Sequence, residues 1–251
     1  MRRFFISNAV SSSFSGQGTI FTLDGSDAHH IARVLRMKEG DRVLVCDMAQ
    51  HQYICHIRTV KTTPGGESIV LEVAEKKEEQ TELSYQIVLF QALIKGDKMD
   101  SVIRHAVELG VHEVVPVLCE RCVSTPDEKN LKKKIERWQR VAIEAAKQSG
   151  RSSIPKVSDC ISFRDMIVRL EAMSASFICF EGENKRSIRE VIGCDAEKIG
   201  FFIGPEGGLS CGEVFLAQNA GIPTVTLEKL ILRTETAALA VLSMVLYEKI
   251  L

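Results

Sequence analysis

The chain has 251 residues and a formal net charge of −1 at pH 7, with 45% hydrophobic and 26% charged residues. This ordinary globular composition excludes disordered and fibrous classes, and it suits one α/β domain or a large domain plus a small one. The N-terminus lacks the apolar core of a signal peptide, and the longest apolar run, AALAVLSMVLY, is too short to span a bilayer. We therefore expect a cytoplasmic protein without a membrane partner.

The first 74 residues predict a small β-rich domain. Turn signals at 16–18 and 64–66 help to separate the short β-branched or aromatic runs RRFFIS, TIFTL, RVLVCD, YICHIRTV and SIVLEV. One helix interrupts them in DAHHIARVLRMKEG, with Asp27 as the expected N-cap and Gly40 as the expected stop. Several strands and one helix in so few residues predict a small barrel.

After a predicted polar linker at 75–84, the pattern changes to alternating strands and helices over residues 85–251. The strand runs are QIVLFQAL, HEVVPVL, SFICFE, IGFFIG and PTVTL. The helices include one closed by Gly110 and a long one from about Lys129 to Ser149. This alternation predicts an α/β fold with a mainly parallel sheet and helices on both faces.

The cysteines and histidines give little support for a metal site. Eight cysteines form no disulfide framework and are interpreted mainly as reduced core residues. Cys119 and Cys122 could form half of a zinc site, but no second pair follows at finger-like spacing, so strand-end residues are the favoured interpretation. The adjacent His29 and His30 are interpreted as helix-start residues. We expect no metal.

The basic residues are concentrated in one segment. Between Lys129 and Lys156 there are nine Lys or Arg and two Glu, a local balance of +7. The segment is either a solvated helix face or an RNA-facing patch, and spacing alone does not separate these alternatives.

Ligands of open parallel sheets bind beyond the carboxyl ends of the strands, here the loops after Phe180, Ile203 and Leu227. The middle loop, IGPEGGLSCGEV, has little side-chain bulk, and Ser210 to Glu213 match a helix capping box. The chain has neither a P-loop nor a dinucleotide fingerprint at the first strand, which disfavours phosphate binding. A ligand could lie on this backbone; the alternative is a glycine-rich turn without function.

The third loop leads into LILRTETAALAVL. Thr234 is expected to cap the following helix, and Glu235 places negative charge at its positive end. Arg233 precedes the cap beside the end of the sheet. It either pairs with a carboxylate such as Glu206 or Glu235, or it faces an anionic or electron-rich substrate.

Several motifs, in order along nearly the whole chain, carry a resemblance to a known family. They are RRFF, HHIARVLR, ALIKGDKMD, ELGV, IEAAKQSGR, FFIGPEGGLSCGEV and ILRTETAALAVL. Together they resemble the SPOUT-superfamily methyltransferases that methylate N3 of a uridine in bacterial 16S ribosomal RNA. The resemblance implies a PUA-like RNA-binding barrel at 1–74, a methyltransferase domain at 85–251 with a C-terminal trefoil knot, and a homodimer.

The resemblance also implies a site for S-adenosylmethionine in the three loops. The expected cofactor-binding residues are Phe180, Gly182, Ile203, Gly204, Pro205, Glu206, Gly207, Gly208, Leu227, Ile231, Leu232, Thr234 and Ala237. The expected RNA-binding residues are Arg2, Arg3, Arg33, Arg36, Lys95, Arg121 and Arg151. Each of these cations has an alternative interpretation as an ordinary surface charge.

The chain departs from the family pattern at three positions. Members commonly have glycine, arginine and lysine where this chain has Glu228, Leu230 and His105. The Gly-Pro-Glu-Gly-Gly and Arg-Thr-Glu-Thr-Ala cores are intact.

The chemistry that the resemblance implies assigns roles to two charged residues. Methyl transfer from a sulfonium needs an oriented acceptor and exclusion of water. Uracil N3 carries a proton at neutral pH, so a base or a stabiliser of the uracil anion is expected. Arg233 is the predicted stabiliser, through O2 or O4 of the base or the adjoining phosphate. Glu206 is a candidate base, or it holds the loop through backbone amides.

Two other functions compete with this hypothesis. One is a non-catalytic ribosomal-RNA-binding or assembly factor on the same scaffold, against which the intact motifs count. The other is a nucleotide-dependent oxidoreductase, against which the missing dinucleotide fingerprint counts.

Overall fold

Contacts within the chain separate two units in this computed structural model. One contains Met1–Glu82 and Ala146–Ile154, and the other contains Leu83–Ala145 and Pro155–Leu251. The structure describes residues 1–6, 18–47, 49–64, 66–77, 81–123, 125–183, 186–193, 195–227 and 230–250. Parts of the predicted turns and linker (16, 17, 65 and 78–80), together with Cys194 and Glu228, lie outside these residues.

The N-terminal unit is built on a curled five-stranded sheet. Its strands are β1 (Arg2–Phe5), β2 (Ile20–Asp24), β3 (Arg42–Cys46), β4 (Gln52–Thr63) and β5 (Gly66–Lys77), in the order β1-β3-β4-β5-β2. The β4–β5 hairpin has register shifts between Ile54 and Cys55 and between Ile57 and Thr59. Such bulges bend a hairpin and increase its twist. The sheet is accordingly a half-barrel around buried side chains that include Phe4.

The helical insert begins earlier than predicted. Helix α1 spans Gly25–His29 with Asp24 at the N-cap, so the prediction of Asp27 as the cap is wrong. The Asp27 carboxylate instead accepts a hydrogen bond from Lys147 Nζ at 2.8 Å. Ala28 is fully buried, and its packing against the sheet fixes the position of the helix.

The insert also ends before Gly40, which was predicted to stop it. After α1 the chain makes a π-helical turn over His30–Val34, and Arg36 then has a φ of 53°. This left-handed residue lets both Leu35 and Met37 pack against the core. In a continuing helix, Leu35 and Met37 would point to different faces. Their packing against the same core therefore requires the helix to end here.

The second unit contains a seven-stranded sheet. Its strands are β6 (Gln86–Ala92), β7 (Glu113–Leu118), β8 (Lys156–Val157), β9 (Ile161–Ser162), β10 (Ala175–Cys179), β11 (Lys198–Ile203) and β12 (Thr224–Val225). The order is β12-β10-β11-β6-β7-β8, with β9 also paired to β7, and every pairing is parallel. The predicted parallel sheet is therefore confirmed.

Helices connect these strands. They are α2 (Lys98–Glu108), α3 (Glu128–Ser149), α4 (Phe163–Glu171), α5 (Cys211–Asn219) and α6 (Thr234–Ile250), with a 3₁₀ turn at Ile188–Glu190. Gly110 follows α2 with a φ of 85°, as its predicted role as a stop requires. Helix α4 was not predicted; Ser162 caps it by accepting a hydrogen bond from the Asp165 amide at 3.1 Å.

Both faces of the second sheet are buried. Phe202 of β11 meets Phe163 of α4 edge to face, with ring centroids 5.5 Å apart. Its neighbour Phe201 stacks on Phe177 of β10 at 5.7 Å. Because successive residues of a strand point to opposite faces, these two pairs lie on opposite sides of the sheet. Among the described residues, no helix is both long and apolar enough to cross a lipid bilayer.

A buried ion pair joins Glu82 to Arg151 in the N-terminal unit. Arg151 is 7% exposed, and its Nε lies 3.1 Å from Glu82 Oε2. The other oxygen of Glu82 accepts hydrogen bonds from the amides of Ser152 and Ser153 at 2.8 and 3.0 Å. Burial acts to raise the pKa of Glu82, but the Arg151 hydrogen bond and charge and the Ser153 amide outweigh it and lower this pKa.

We predict that Glu82→Gln lowers the free energy of unfolding by about 3 kcal/mol at pH 7, because a buried guanidinium loses its counter-charge. The folded-state pKa of Glu82 is below the unfolded value of about 4.5, so this stabilisation is complete above that pH and is lost as the pH falls through the folded pKa. Urea denaturation from pH 7 to pH 3 measures both effects. The control is Glu72→Gln, which removes an exposed pair with Arg58 and should change stability little. Equal losses in the two variants would contradict the prediction.

Candidate functional site

A pocket of about 500 Å³ opens at the carboxyl ends of β10, β11 and β12. Its walls come from the segments that follow these three strands, together with Lys98 at the start of α2. The structure brings together the following predicted cofactor-binding residues at this pocket: Phe180, Ile203, Gly204, Pro205, Glu206, Gly207, Gly208, Leu227, Ile231, Leu232, Thr234 and Ala237. Leu230 and Arg233 also line it.

Gly182 is the one predicted cofactor-binding residue that does not line the pocket. A Cβ at Gly182 would lie 2.5 Å from Cε1 of Phe180. The missing side chain therefore makes room for the Phe180 ring, which does line the pocket. Gly182 shapes the wall indirectly.

The backbone of the glycine-rich loop after β11 requires glycine at two positions. Gly208 has a φ of 68°, and its amide donates to the Pro205 carbonyl at 3.0 Å. A Cβ at Gly207 would lie 3.0 Å from the Arg121 carbonyl oxygen, so the two backbones approach closely. Side chains at these positions would strain or displace the loop. The pocket wall is therefore exposed backbone.

The loop ends in the predicted capping box, which is confirmed. Ser210 Oγ accepts from the Glu213 amide at 3.3 Å, and Glu213 Oε2 accepts from the Ser210 amide at 2.9 Å. The other oxygen of Glu213 accepts from the Glu120 amide at 2.9 Å. Glu213, which is 6% exposed, thus ties the start of α5 to the turn after β7.

Thr234 does not make the predicted cap. Its hydroxyl donates to the Gly204 carbonyl at 2.7 Å and accepts from Gln91 Nε2 at 3.0 Å. Thr234 is 7% exposed and Gln91 is fully buried, so the buried polar groups around them determine where the hydroxyl points. Gln91 is not among the residues predicted from the sequence, although an amide inside the apolar run QIVLFQAL was a signal for it.

Lys98 was also missed, although the ALIKGDKMD motif contains it. Its Nζ lies 3.2 Å from Glu206 Oε1 and 3.6 Å from Glu235 Oε2. Glu206 Oε1 also lies 3.4 Å from the Lys95 amide nitrogen, which donates to it. Both carboxylates considered as partners of Arg233 therefore pair with Lys98. Within the described part of the chain, the exposed Arg233 guanidinium has no hydrogen bond or ion pair.

The predicted RNA-binding residues differ in their surroundings. Arg2, Arg36, Lys95 and Arg121 are exposed, and Arg121 Nη1 lies 3.4 Å from the Gly207 carbonyl oxygen.

The other three predicted RNA-binding arginines already have partners. Arg33 pairs with Glu67 at 2.7 Å, and Arg3 donates to the Arg151 carbonyl. Arg151 is buried against Glu82, which gives it a structural role. His29 Nδ1 lies 3.2 Å from the same Glu67. Among the described residues, no three His, Cys, Asp or Glu side chains form a group suited to a metal ion.

Comparisons with known proteins identify related domains. An RNA methyltransferase domain model matches residues 81–246, and an RNA methyltransferase PUA domain model matches residues 23–61. A Bacillus subtilis protein named ribosomal RNA small subunit methyltransferase E is 32% identical, over 99% of this chain and 97% of its own. The Aquifex aeolicus protein of the same name is 30% identical, over 92% and 95%.

Two solved structures with a bound ligand are similar over almost the whole chain. Ribosomal RNA small subunit methyltransferase E from Neisseria gonorrhoeae, bound to S-adenosyl methionine, has a TM-score of 0.86 and 28% identity, covering 98% of this chain and 97% of its own. A methyltransferase from Legionella pneumophila in complex with the same cofactor has a TM-score of 0.85 and 26% identity, covering 98% and 96%.

We predict that Thr234→Val lowers the free energy of unfolding by about 1–3 kcal/mol, because the half-buried Gly204 carbonyl loses its donor and the buried Gln91 amide keeps only the Ala92 carbonyl as an acceptor. Chemical denaturation followed by circular dichroism measures the loss. The matched control is Thr236→Val, two residues along the same helix, where the side chain is exposed. The prediction fails if the two valine variants are equally stable.

Proposed function

Because the chain belongs to the RNA methyltransferase family, we propose that it transfers a methyl group from S-adenosylmethionine to N3 of a uridine in small-subunit (16S) ribosomal RNA. Relatives named small subunit methyltransferase E, similar over nearly the whole chain, support the RNA substrate. The observation that carries the proposal is the pocket at the strand ends, where bare loop backbone faces the unpaired cation Arg233.

The residues present fit this cofactor. A volume of about 500 Å³ is in the range of small-molecule pockets. Because Gly207 and Gly208 carry no side chains, a ligand can lie directly against the loop backbone, while Ile203, Leu227 and Leu232 supply apolar walls. The cofactor supplies an activated methyl group on a sulfonium when it is bound. The residues expected to hold it are the twelve pocket-lining positions given above, with Gly182 acting through Phe180.

Arg233 is the proposed stabiliser of the uracil anion. An exposed guanidinium with no partner among the described residues is free to donate to O2 or O4 of the base or to the adjoining phosphate. Glu206 has less freedom because one of its oxygens is bound by Lys98 and the Lys95 amide. These contacts favour the role of holding the loop over that of a general base.

We propose that RNA is bound by exposed cations of both units. In the N-terminal unit they are Arg2 and Arg36, with a smaller contribution from Arg33 because it pairs with Glu67, and in the methyltransferase unit they are Lys95 and Arg121. Arg3, which is half-buried, contributes mainly through its contact with the Arg151 carbonyl. Arg151 is left out because its guanidinium is buried. From the same resemblance we propose a trefoil knot in the last segment, a homodimer and a cytoplasmic location.

Methyl transfer to assembled subunits tests the proposed function directly. The protein is incubated with methyl-labelled S-adenosylmethionine and small ribosomal subunits that lack the modification, and nucleoside analysis locates the label. We expect label on N3 of a uridine. Label on cytidine or ribose would refute the uridine assignment, and no label in RNA would overturn the proposal and favour a binding factor.

We predict that Arg233→Ala lowers kcat by about 10²–10³-fold, because a preorganised donor to the developing anion is lost. Its affinity for S-adenosylmethionine, measured by calorimetry, should stay within about threefold, since backbone and apolar groups carry that binding. Arg164→Ala is the matched control, because Arg164 is an exposed arginine of α4 outside the pocket lining. A wild-type rate for Arg233→Ala would exclude the catalytic role.

A further inference from the structure

Cys119 and Cys122 form a thiol pair that the proposed reaction does not use. Both are free, Cys119 is 5% exposed and Cys122 is half-buried. The Cys122 amide donates to the Cys119 carbonyl at 3.2 Å, which makes residues 119–122 a β-turn. The ends of such a turn lie within about 7 Å. A disulfide spans Cα separations of about 4.4–6.8 Å, so the turn suits one.

The surroundings make the two thiols chemically different. The sulfur of Cys122 accepts a hydrogen bond from the Cys119 amide at 3.3 Å, and the Cys122 thiol donates to the more distant Val117 carbonyl at 4.0 Å. Stabilisation of the thiolate by the Cys119 side chain, the Cys119 amide and the Leu93 amide lowers the pKa of Cys122, although burial opposes it. The hydrogen bond and burial raise the pKa of Cys119. Cys122 is therefore the better nucleophile, and Cys119 lies beside it.

The turn that carries the thiols also contacts the glycine-rich loop of the pocket. The Glu120 amide donates to Glu213, which caps α5 at the end of that loop. Arg121 Nη1 lies 3.4 Å from the Gly207 carbonyl oxygen. The Arg121 carbonyl oxygen lies 3.0 Å from the position of a Cβ on Gly207, so there is little space between the two backbones. A change in this turn therefore reaches the loop.

We propose that Cys119 and Cys122 are a site of oxidation by low-molecular-weight disulfides, and that the disulfide they form weakens binding of S-adenosylmethionine to the neighbouring loop. The inference rests on the proposed function for its second half. Formation of the bond takes the Cys122 sulfur away from the Cys119 amide and alters the turn, which moves Arg121 against Gly207.

The chemistry is two successive exchanges. The Cys122 thiolate attacks one sulfur of the disulfide RSSR, forms a mixed disulfide and releases RS⁻. The Cys119 sulfur then loses its proton and attacks the Cys122 sulfur, which releases the second RS⁻. The two cysteine sulfurs are oxidised, RSSR is reduced to two RSH, and the protons come from the cysteine thiols and solvent.

Trypsin reports the bond directly, because Arg121 lies between the two cysteines. After treatment of the full chain with oxidised glutathione and blocking of free thiols, cleavage after Arg121 separates Cys119 from Cys122 unless a disulfide joins their peptides. We expect joined peptides by mass spectrometry without reductant and separate peptides after dithiothreitol. Oxidised wild-type protein with only separate peptides would overturn the thiol pair.

Calorimetry and hydrogen exchange then test the coupling. We expect S-adenosylmethionine to bind about tenfold more weakly to the oxidised protein, a difference of about 1.4 kcal/mol, with recovery after dithiothreitol. The amides of residues 204–208 should exchange faster in the oxidised protein, a measurement that needs no cofactor. Joined peptides with unchanged affinity and exchange would contradict the coupling.

Cysteine variants separate the pair from the other thiols. Cys122→Ser should give no joined peptides and no response to oxidised glutathione, whereas Cys211→Ser, at an exposed cysteine outside the pair, should respond like wild type. Failure of the proposed function has a different signature. The reduced protein would then not bind S-adenosylmethionine at all, while the peptides would still join and exchange at 204–208 would still change.

Discussion

The candidate site depends on one buried hydroxyl. Thr234 Oγ1 donates to the Gly204 carbonyl and accepts from the Gln91 amide, so it links the first turn of α6 to the end of β11 and to β6. Thr234 and Gly204 are 30 positions apart in the chain. These two residues lie on different walls of the pocket, and hydrogen bonds inside the protein hold the walls together. Breaking them would leave buried polar groups unpaired, which costs stability. Arg233 and Glu235 take their positions from this fixed point.

A single lysine determines which charges remain available in the pocket. Lys98 lies within ion-pair distance of both Glu206 and Glu235, the two carboxylates considered as partners of Arg233. Because both carboxylates lie beside Lys98 rather than beside Arg233, the guanidinium of Arg233 keeps its hydrogen-bonding capacity for a ligand. The pairing also joins α2 to the glycine-rich loop and to α6. The same contacts thus shape the pocket and leave its cation unpaired.

The sequence predicted elements well where the signal was local, and less well where it depended on distant contacts. The alternation of strand and helix runs was sufficient to predict the parallel sheet. The capping box of Ser210 and Glu213 was predicted correctly because both partners lie within four residues. Capping by Asp27 and Thr234 was predicted from the same local rules but was not observed, because Lys147 and Gly204 bind these side chains instead. Local patterns carry no information about such partners.

Burial and pairing also decide what the basic segment offers to a ligand. Its local balance of +7 counts Arg137, Lys147 and Arg151, yet each of these pairs with carboxylates: Arg137 with Asp97 and Asp100, Lys147 with Asp27, and Arg151 with Glu82. Charges committed in this way attract a polyanion less than the sum implies, because their field is largely cancelled at short range. The exposed Lys129, Lys133 and Arg140 of α3 remain. Burial likewise distinguishes Arg36, which is exposed to a ligand, from Arg151, which is not, although the two arginines count equally in the composition.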